Sequence, residues 1–375
     1  MVGGWIFFSI DPGSIRPRDA TAVSKTYSLN SQYPLGTHLY IGNSQKLGSL
    51  QLNYGLRYST FGSYKKGWEY SYANGSDIPV DSAYGKSLFA FHRIDPRVSI
   101  SFTNKKIKYS ASYDKTTQYF HLLANSSVGL PTDVWLPSSN NIHPQRADIF
   151  SVTTEYLPAK LFSPSLSVYY KSVNRNMDFI DNADLFVNKY VESQLRQGTA
   201  KAYGMEFMLQ KATGKFTGFL SYTLSKAEVT INGVNRGEPF PSRYDKRHNL
   251  SLNAKIEVSK RLQASMNFVY TTGGAITVPT GNFVFDGVVF NYYSSRNGYR
   301  LPVYHRLDLS LKYTPRKNEG RKWSSFWSFD IYNVYGRKNP FTVFSRQADY
   351  GFGQTNVSMI YLFGIVPSLT YNFKF

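Results

Sequence analysis

Few residue types in this chain can do chemistry, and their spacing narrows what they can do. Cysteine is absent, so neither a disulfide framework nor a thiolate metal site is available. The six histidines are His38, His92, His121, His143, His248 and His305; none falls in an HExxH or another metal-ligand spacing. There is no GxSxG nucleophile motif, and Gly351-Phe352-Gly353 is too short a glycine run to cradle a phosphate. Two groupings are left. His121, Asp133, Trp135 and His143 share one long connecting segment. Residues of these types on such a segment contact a ligand more readily than they make an active site, and serve structure alone more readily still. The run from Arg243 through Tyr244, Asp245, Lys246 and Arg247 to His248 gathers charge at the mouth of a strand. Asp245 can pair there with Arg243 or Arg247, in a network that either anchors the strand start or lines a path for a substrate. The chain is therefore expected to bind or pass a ligand, with no catalytic residue, metal ligand or cofactor. Its candidate ligand-loop and lumen residues are His121, Asp133, Trp135, His143, Arg243, Asp245, Arg247 and His248.

The elements that would hold these residues are strands. Leu50, Leu52, Tyr54, Leu56 and Tyr58 share one face of an alternating segment, with Gln51, Asn53, Gly55 and Arg57 on the other. The same period of two runs through Ile107–Asp114, Tyr203–Gln210, Asn249–Val258, Leu262–Phe268 and Arg306–Tyr313. Each run is roughly nine residues, the length a tilted strand needs to cross a bilayer. About thirteen strands follow from this pattern over 35–375, with residues 1–34 expected to be irregular. Short connections near 42–47, 104–106, 158–162, 211–215, 259–261 and 315–322 alternate with long ones near 62–85, 121–146, 180–198, 231–245, 275–302 and 336–355. Tight turns on one rim and long loops on the other define an up-and-down transmembrane barrel, and a Greek-key sandwich has no reason to keep that rhythm.

Composition agrees. The chain has 30 Tyr and 27 Phe, and aromatics make up 17% of it. Such residues gather where protein meets lipid and water together, and here they cluster near strand ends. Phe326 and Tyr332 share parity with Ser328 and Asp330 and are expected to point inward. The net charge of +19 is dispersed rather than gathered on one element, which argues against nucleic acid. Every short turn carries Lys or Arg, among them Lys46, Lys105, Lys160, Lys211, Lys260 and Arg321, suited to a solvated rim or to anionic lipid head groups. No Lys or Arg precedes the apolar run at Trp5–Phe8, so that run is not expected to be a signal peptide. At the other end, Leu369, Tyr371, Phe373 and Phe375 alternate with Ser368, Thr370, Asn372 and Lys374. A barrel that closes on its last strand has a use for an aromatic edge that a soluble protein would hide.

Several phrases resemble a known family. They are Leu52-Asn53-Tyr54-Gly55-Leu56-Arg57-Tyr58, Ile94-Asp95-Pro96-Arg97, Leu130-Pro131-Thr132-Asp133-Val134-Trp135-Leu136-Pro137 and Ala202-Tyr203-Gly204-Met205-Glu206. Tyr244–Leu250, Leu301–Asp308, Ile331–Arg337 and the terminal strand complete the series. In that order they resemble the C-terminal part of a TonB-dependent outer-membrane receptor, of the branch with a carboxypeptidase-regulatory-like extension. The resemblance implies part of a 22-stranded barrel, located in the outer membrane of a Gram-negative cell. It implies uptake of a scarce nutrient such as a siderophore, haem, peptide or glycan, energised by the TonB complex through a plug and TonB box that this stretch does not include. It also implies that Tyr371, Phe373 and Phe375 signal to the barrel-assembly machinery, although Thr370 stands where that signal prefers glycine. A passive porin and a soluble sugar-binding β protein are the alternatives.

Overall fold

A computed structural model describes residues 2–9, 14–15, 27–28, 32–72, 78–123, 134–157, 162–183, 188, 190–286, 288–316, 324–347 and 355–374. Fourteen strands pair antiparallel in chain order. They are β1 Val2–Phe7, β2 Gln32–Leu47, β3 Leu50–Tyr72, β4 Pro79–Asn104, β5 Ile107–Gln118, β6 Gln145–Tyr156 and β7 Ser163–Phe179. The path continues with β8 Leu195–Lys211, β9 Phe216–Thr230, β10 His248–Glu257, β11 Leu262–Thr271, β12 Tyr304–Tyr313, β13 Ser324–Tyr332 and β14 Val366–Lys374. A fifteenth, Phe240–Pro241, pairs with the loop end of β9 from the side. Among the described residues β1 and β14 are the two ends of the path and share no ladder. No helix of the described residues is long and apolar enough to cross a membrane.

Register turns the alternation of each strand into a belt. Leu52 faces Ile100, which faces Ala111, then Val152, Val168, Met205 and Leu224 across successive strands. Leu220, Leu252, Phe268 and Leu307 carry the belt on, and Leu311, Phe329 and Leu369 finish it. Many of these side chains are exposed, Val168 at 51% and Leu369 at 66%. A slip of one residue in any ladder would put polar side chains into the belt, so burial in lipid fixes register strongly. The opposite face carries Asn53, Ser99, Ser112, Ser151, Glu206 and Asp330, linked by bonds such as Asn53 Nδ2 to Ser99 Oγ at 3.1 Å and Ser112 Oγ to Ser151 Oγ at 2.8 Å. Phe326 and Tyr332 lie on this face as expected, Phe326 under Lys312 and Tyr332 under Arg306.

Aromatic residues bound the belt on both sides. Toward the short turns stand Phe102 opposite Tyr109, and Tyr313 opposite Trp327, itself opposite Tyr371. Toward the loops stand Tyr113 against Phe150 and Tyr170 opposite Tyr203. Three histidines sit on this upper boundary, each against a tyrosine. His92 Nδ1 meets the Tyr58 hydroxyl at 2.8 Å, His248 Nδ1 meets Tyr222 at 2.8 Å, and His305 Nδ1 meets Tyr335 at 2.8 Å while stacking on Tyr270. Above them the outer face turns ionic, with Lys115–Asp148 at 3.1 Å and a Lys226–Glu228 pair. An apolar band between two aromatic girdles is what a bilayer requires of a barrel wall.

Four expectations are corrected. The irregular stretch expected over 1–34 contains β1, whose Trp5 and Phe7 lie opposite Thr37 and Leu35. Its two glycines and its unbroken run of Trp5, Ile6, Phe7 and Phe8 hide the alternation. The strand count is therefore fourteen, and both ends of the path lie on the short-turn rim. The segment 62–85 is not a loop but the upper part of one hairpin, paired from Gly62↔Ala90 through Tyr70↔Ser82. Lys65, Lys66 and Gly67 interrupt the alternation of Tyr64, Trp68, Tyr70 and Tyr72, and Asn74-Gly75-Ser76-Asp77 reads as turn chemistry. The turn expected near 42–47 lies at 48–49 instead. Gly42 pairs with Gly55 so that the Tyr40 ring can lie over both; a Cβ at Gly42 would stand 2.8 Å from Tyr40 Cζ. Lys160, residues 317–323 and Phe375 lie outside the described residues.

The belt makes a direct prediction. Val168→Arg puts a charge on the lipid-facing side of β7 and is expected to cost about 2–4 kcal/mol in urea unfolding from lipid vesicles. Ser167→Arg, one residue away on the opposite face, is expected to cost less than half of that; equal costs would refute the assignment of faces.

Candidate functional site

Above the belt the connections are built, not slack. The hairpin of Phe120–Leu123 with Val134–Pro137 leans on the tops of β7 and β8 through a small core of Leu136, Ile142, Phe179 and Leu195. His121 faces Leu136 and is buried, with Nε2 3.2 Å from Ser138 Oγ. Burial pushes its pKa down to about 4. Trp135 lies on the hairpin's other face and is 55% exposed. His143 is held elsewhere, edge-on to Phe91 and tied to Gln197, whose Nε2 donates to His143 O at 2.7 Å. Burial and the charges of Arg175 and Arg93 hold His143 below the usual imidazole range. The four residues expected to share one site are thus separated: His121 is structural, Trp135 faces outward, His143 belongs to the wall, and Asp133 lies outside the described residues.

The second grouping also divides. Asp245 is 2% exposed and pairs with Arg300 rather than with Arg243 or Arg247. Its Oδ1 accepts from Ala227 N at 2.6 Å, and Arg300 Nη1 donates to Asp245 O at 2.9 Å. This knot ties the start of β10 to the connection that precedes β12. Arg247 contributes its backbone carbonyl to Ser225 N. His248 stands on the lipid side against Tyr222. Arg243 lies over the Tyr244 ring at 5.1 Å and lines a cavity of about 840 Å³.

That cavity opens on the loop side. Asp178 and Asp181, at the top of β7, hold its floor: Arg296 Nη2 lies 2.5 Å from Asp178 Oδ1, and Asp181 Oδ2 accepts from Asn235 N at 2.9 Å. Asn235 Oδ1 accepts in turn from Arg296 N at 2.9 Å. Asn235, Arg236 and Gly237 all have positive φ, a tight winding set on a core of Val229, Ile231, Val234 and Phe240. Gly198 of β8 makes room for this loop, since a Cβ there would lie 2.2 Å from Thr230 O. Phe290 and Tyr292 close the other side. Guanidinium, amide and aromatic groups together suit a polar solute of small to moderate size. Among the described residues no group of three or more His, Cys, Asp or Glu side chains is placed to hold a metal ion. Of these lining residues sequence reasoning found Arg243 alone. The paired Asn-Gly and Asn-Arg-Gly turns of 232–237 were the available signal for the rest.

Several motif residues turn out to hold strands together. On β12 and β13, Arg306 bonds Asp308, Tyr304 Oη at 2.9 Å and Tyr332 Oη at 2.8 Å. Asn333, 1% exposed and at positive φ, gives its amide to the carbonyls of Arg337, Phe363 and Gly364.

The comparisons with known proteins agree with this architecture. The family model described as TonB dependent receptor-like, beta-barrel matches residues 5–334. The chain belongs to the β-barrel family of TonB-dependent receptors, a family of outer-membrane transport receptors. Among solved structures it is similar to the ferric-catecholate import receptor Fiu of E. coli K12, with a TM-score of 0.57 and 13% identity over 90% of this chain and 47% of that one. It is similar to the siderophore receptor PiuA of Acinetobacter baumannii at 0.59 and 14%, covering 93% and 44%. It is also similar to the ferric yersiniabactin uptake receptor FyuA of Yersinia pestis at 0.56 and 13%, covering 92% and 47%. The chain thus spans under half the length of each. No curated protein matches the sequence.

Two outcomes test this account of the loops. Asp245→Ala takes the carboxylate from the Ala227 amide and from Arg300 Nη2 and is expected to cost about 2–3 kcal/mol, read as faster hydrogen exchange at Ala227. Arg247→Ala should stay within about 0.5 kcal/mol. His121 is neutral when folded down to about pH 4, whereas an exposed imidazole takes its proton near 6.5. Stability of its hairpin is therefore full above that value and falls as pH drops from 6.5 toward 4. Protection factors for amide exchange of residues 120–123, corrected for the intrinsic rate at each pH, should fall over that window, and His121→Phe should remove the dependence.

Proposed function

We propose that this chain is the ligand-capturing and channel-forming wall of an outer-membrane importer for a scarce nutrient, driven by TonB. The observation that carries the reading is the combination of a lipid-facing belt with an opposite face lined by Arg306, Asp308, Asp330 and Glu206, under loops that enclose a polar cavity. Charged groups on an inner wall suit contact with a plug domain, which in the complete receptor is the part that TonB engages. Siderophores are the substrate class named for PiuA, and ferric-catecholates for Fiu; an iron chelate is on that ground the first substrate to test.

Disruption of the gene in its own host is expected to abolish energised uptake of the receptor's nutrient, with iron-chelate and glycan panels as the first screen. Loss of TonB or collapse of the proton-motive force should reproduce the defect. A wall that instead conducts small ions passively in planar bilayers, with uptake indifferent to TonB, would make it a porin.

A further inference from the structure

A second polar site lies at the tops of β4, β6 and β7. Arg93 comes from β4, on the parity of Asp95 and Arg97, whose partner Asp114 belongs to the inner face. Arg146 opens β6. Arg175 occupies a β-bulge in β7 between Asn174 and Asn176 and has φ of 62°. A non-glycine residue in that conformation costs free energy that must be offset by its surroundings, and such positions concentrate at binding sites. Arg175 is within electrostatic reach of both Arg93 and Arg146.

Among the described residues no carboxylate forms an ion pair with any of the three. The acids nearby are already engaged. Asp95 accepts from Thr117 Oγ1 at 2.7 Å, Asp148 holds Lys115 at 3.1 Å and Tyr113 at 2.7 Å, and Asp178 holds Arg296. Arg93 Nε and Arg146 Nε are buried and have no hydrogen-bond partner. A buried donor without an acceptor is costly, and a planar fork with free N–H groups matches an oxyanion.

The cluster is also braced. Gln197 Nε2 donates to the carbonyls of both His143 and Arg175, at 2.7 and 3.4 Å, clamping the 138–144 connection onto the bulge. Phe91 packs edge-on to His143, and Arg93 lies 5.8 Å from the Phe91 ring centre. Three like charges held this close by packing repel one another, and an anion between them would reverse the sign of that interaction.

We propose that Arg93, Arg146 and Arg175 form an oxyanion site on the loop-side wall, which takes a multiply charged carboxylate or phosphate group of a small solute. A solute fits better than an acidic side chain of the protein, because the fork comes from three strands and the described acids nearby are already engaged. The site does not depend on the import reading, since binding is measured without transport.

The test uses the full gene product purified from membranes in detergent, titrated calorimetrically with pyrophosphate and with tricarballylate. Saturable binding of at least one probe is expected, weakened tenfold or more by Arg93→Gln, Arg146→Gln or Arg175→Asn; asparagine tolerates the positive φ at 175. Lys312→Gln, which removes a lumen charge elsewhere, should leave the affinity unchanged. A second readout separates binding from structure. Without anion, Arg146→Gln should raise the thermal midpoint by relieving repulsion, and pyrophosphate should raise the midpoint of the wild type but not of the variant. The proposal is overturned if neither probe binds at about 10 mM, if Lys312→Gln weakens binding equally, or if Arg146→Gln lowers the midpoint.

Discussion

Every backbone N–H and C=O that enters the apolar layer must find its partner within the protein, because lipid offers none. The fourteen-strand ladder is the answer, and the rest of the structure follows from it. A ladder fixes which residues face each other, and the period of two then assigns every side chain to lipid or to lumen. Val168 and Ser167 differ by one position and live in different solvents. That is why the belt is continuous from Leu52 to Leu369, although no single strand is apolar enough to announce itself.

Within the layer, the sequence was readable for this physical reason. Wherever one face meets lipid and the other water, as at Leu50–Tyr58 or Arg306–Tyr313, alternation is enforced and visible. Where both faces meet water, nothing enforces it. The upper part of the β3–β4 hairpin reads as a loop because Lys65, Lys66 and Gly67 break its alternation, and β1 is obscured because its aromatic run has no clear parity. Gly42 looked like turn chemistry, whereas its missing side chain accommodates the Tyr40 ring.

The loop side was less legible because its contacts join residues far apart in sequence. Asp245 lies beside two arginines and bonds a third, Arg300, from another connection. Asp178 reaches Arg296, and Asn235 bridges Asp181 to Arg296. The residues singled out in the sequence are of two kinds. Asn333, Asp308 and Asp245 fasten strand ends, while Arg243 lines the cavity. Charges in the fastening networks are matched in sign, as at Arg306 and Asp308, and those of Arg93, Arg146 and Arg175 are not. A matched pair stabilises the fold, and an unmatched cluster leaves free energy for a ligand to recover.

The three Tyr–His contacts have a geometric consequence. Tyr58, Tyr222 and Tyr270 stand eight, six and eight positions beyond the strand starts Leu50, Phe216 and Leu262. They come from separate parts of the sheet, and three separated points define a plane. Imidazole and phenol prefer the water-facing edge of a bilayer, and that plane suits such an edge. β3 continues from Tyr58 to Tyr72, fourteen residues past it, on the order of 45 Å of strand. More of that hairpin stands outside the membrane than within it, so a solute meets the wall of this protein well before it meets the lipid.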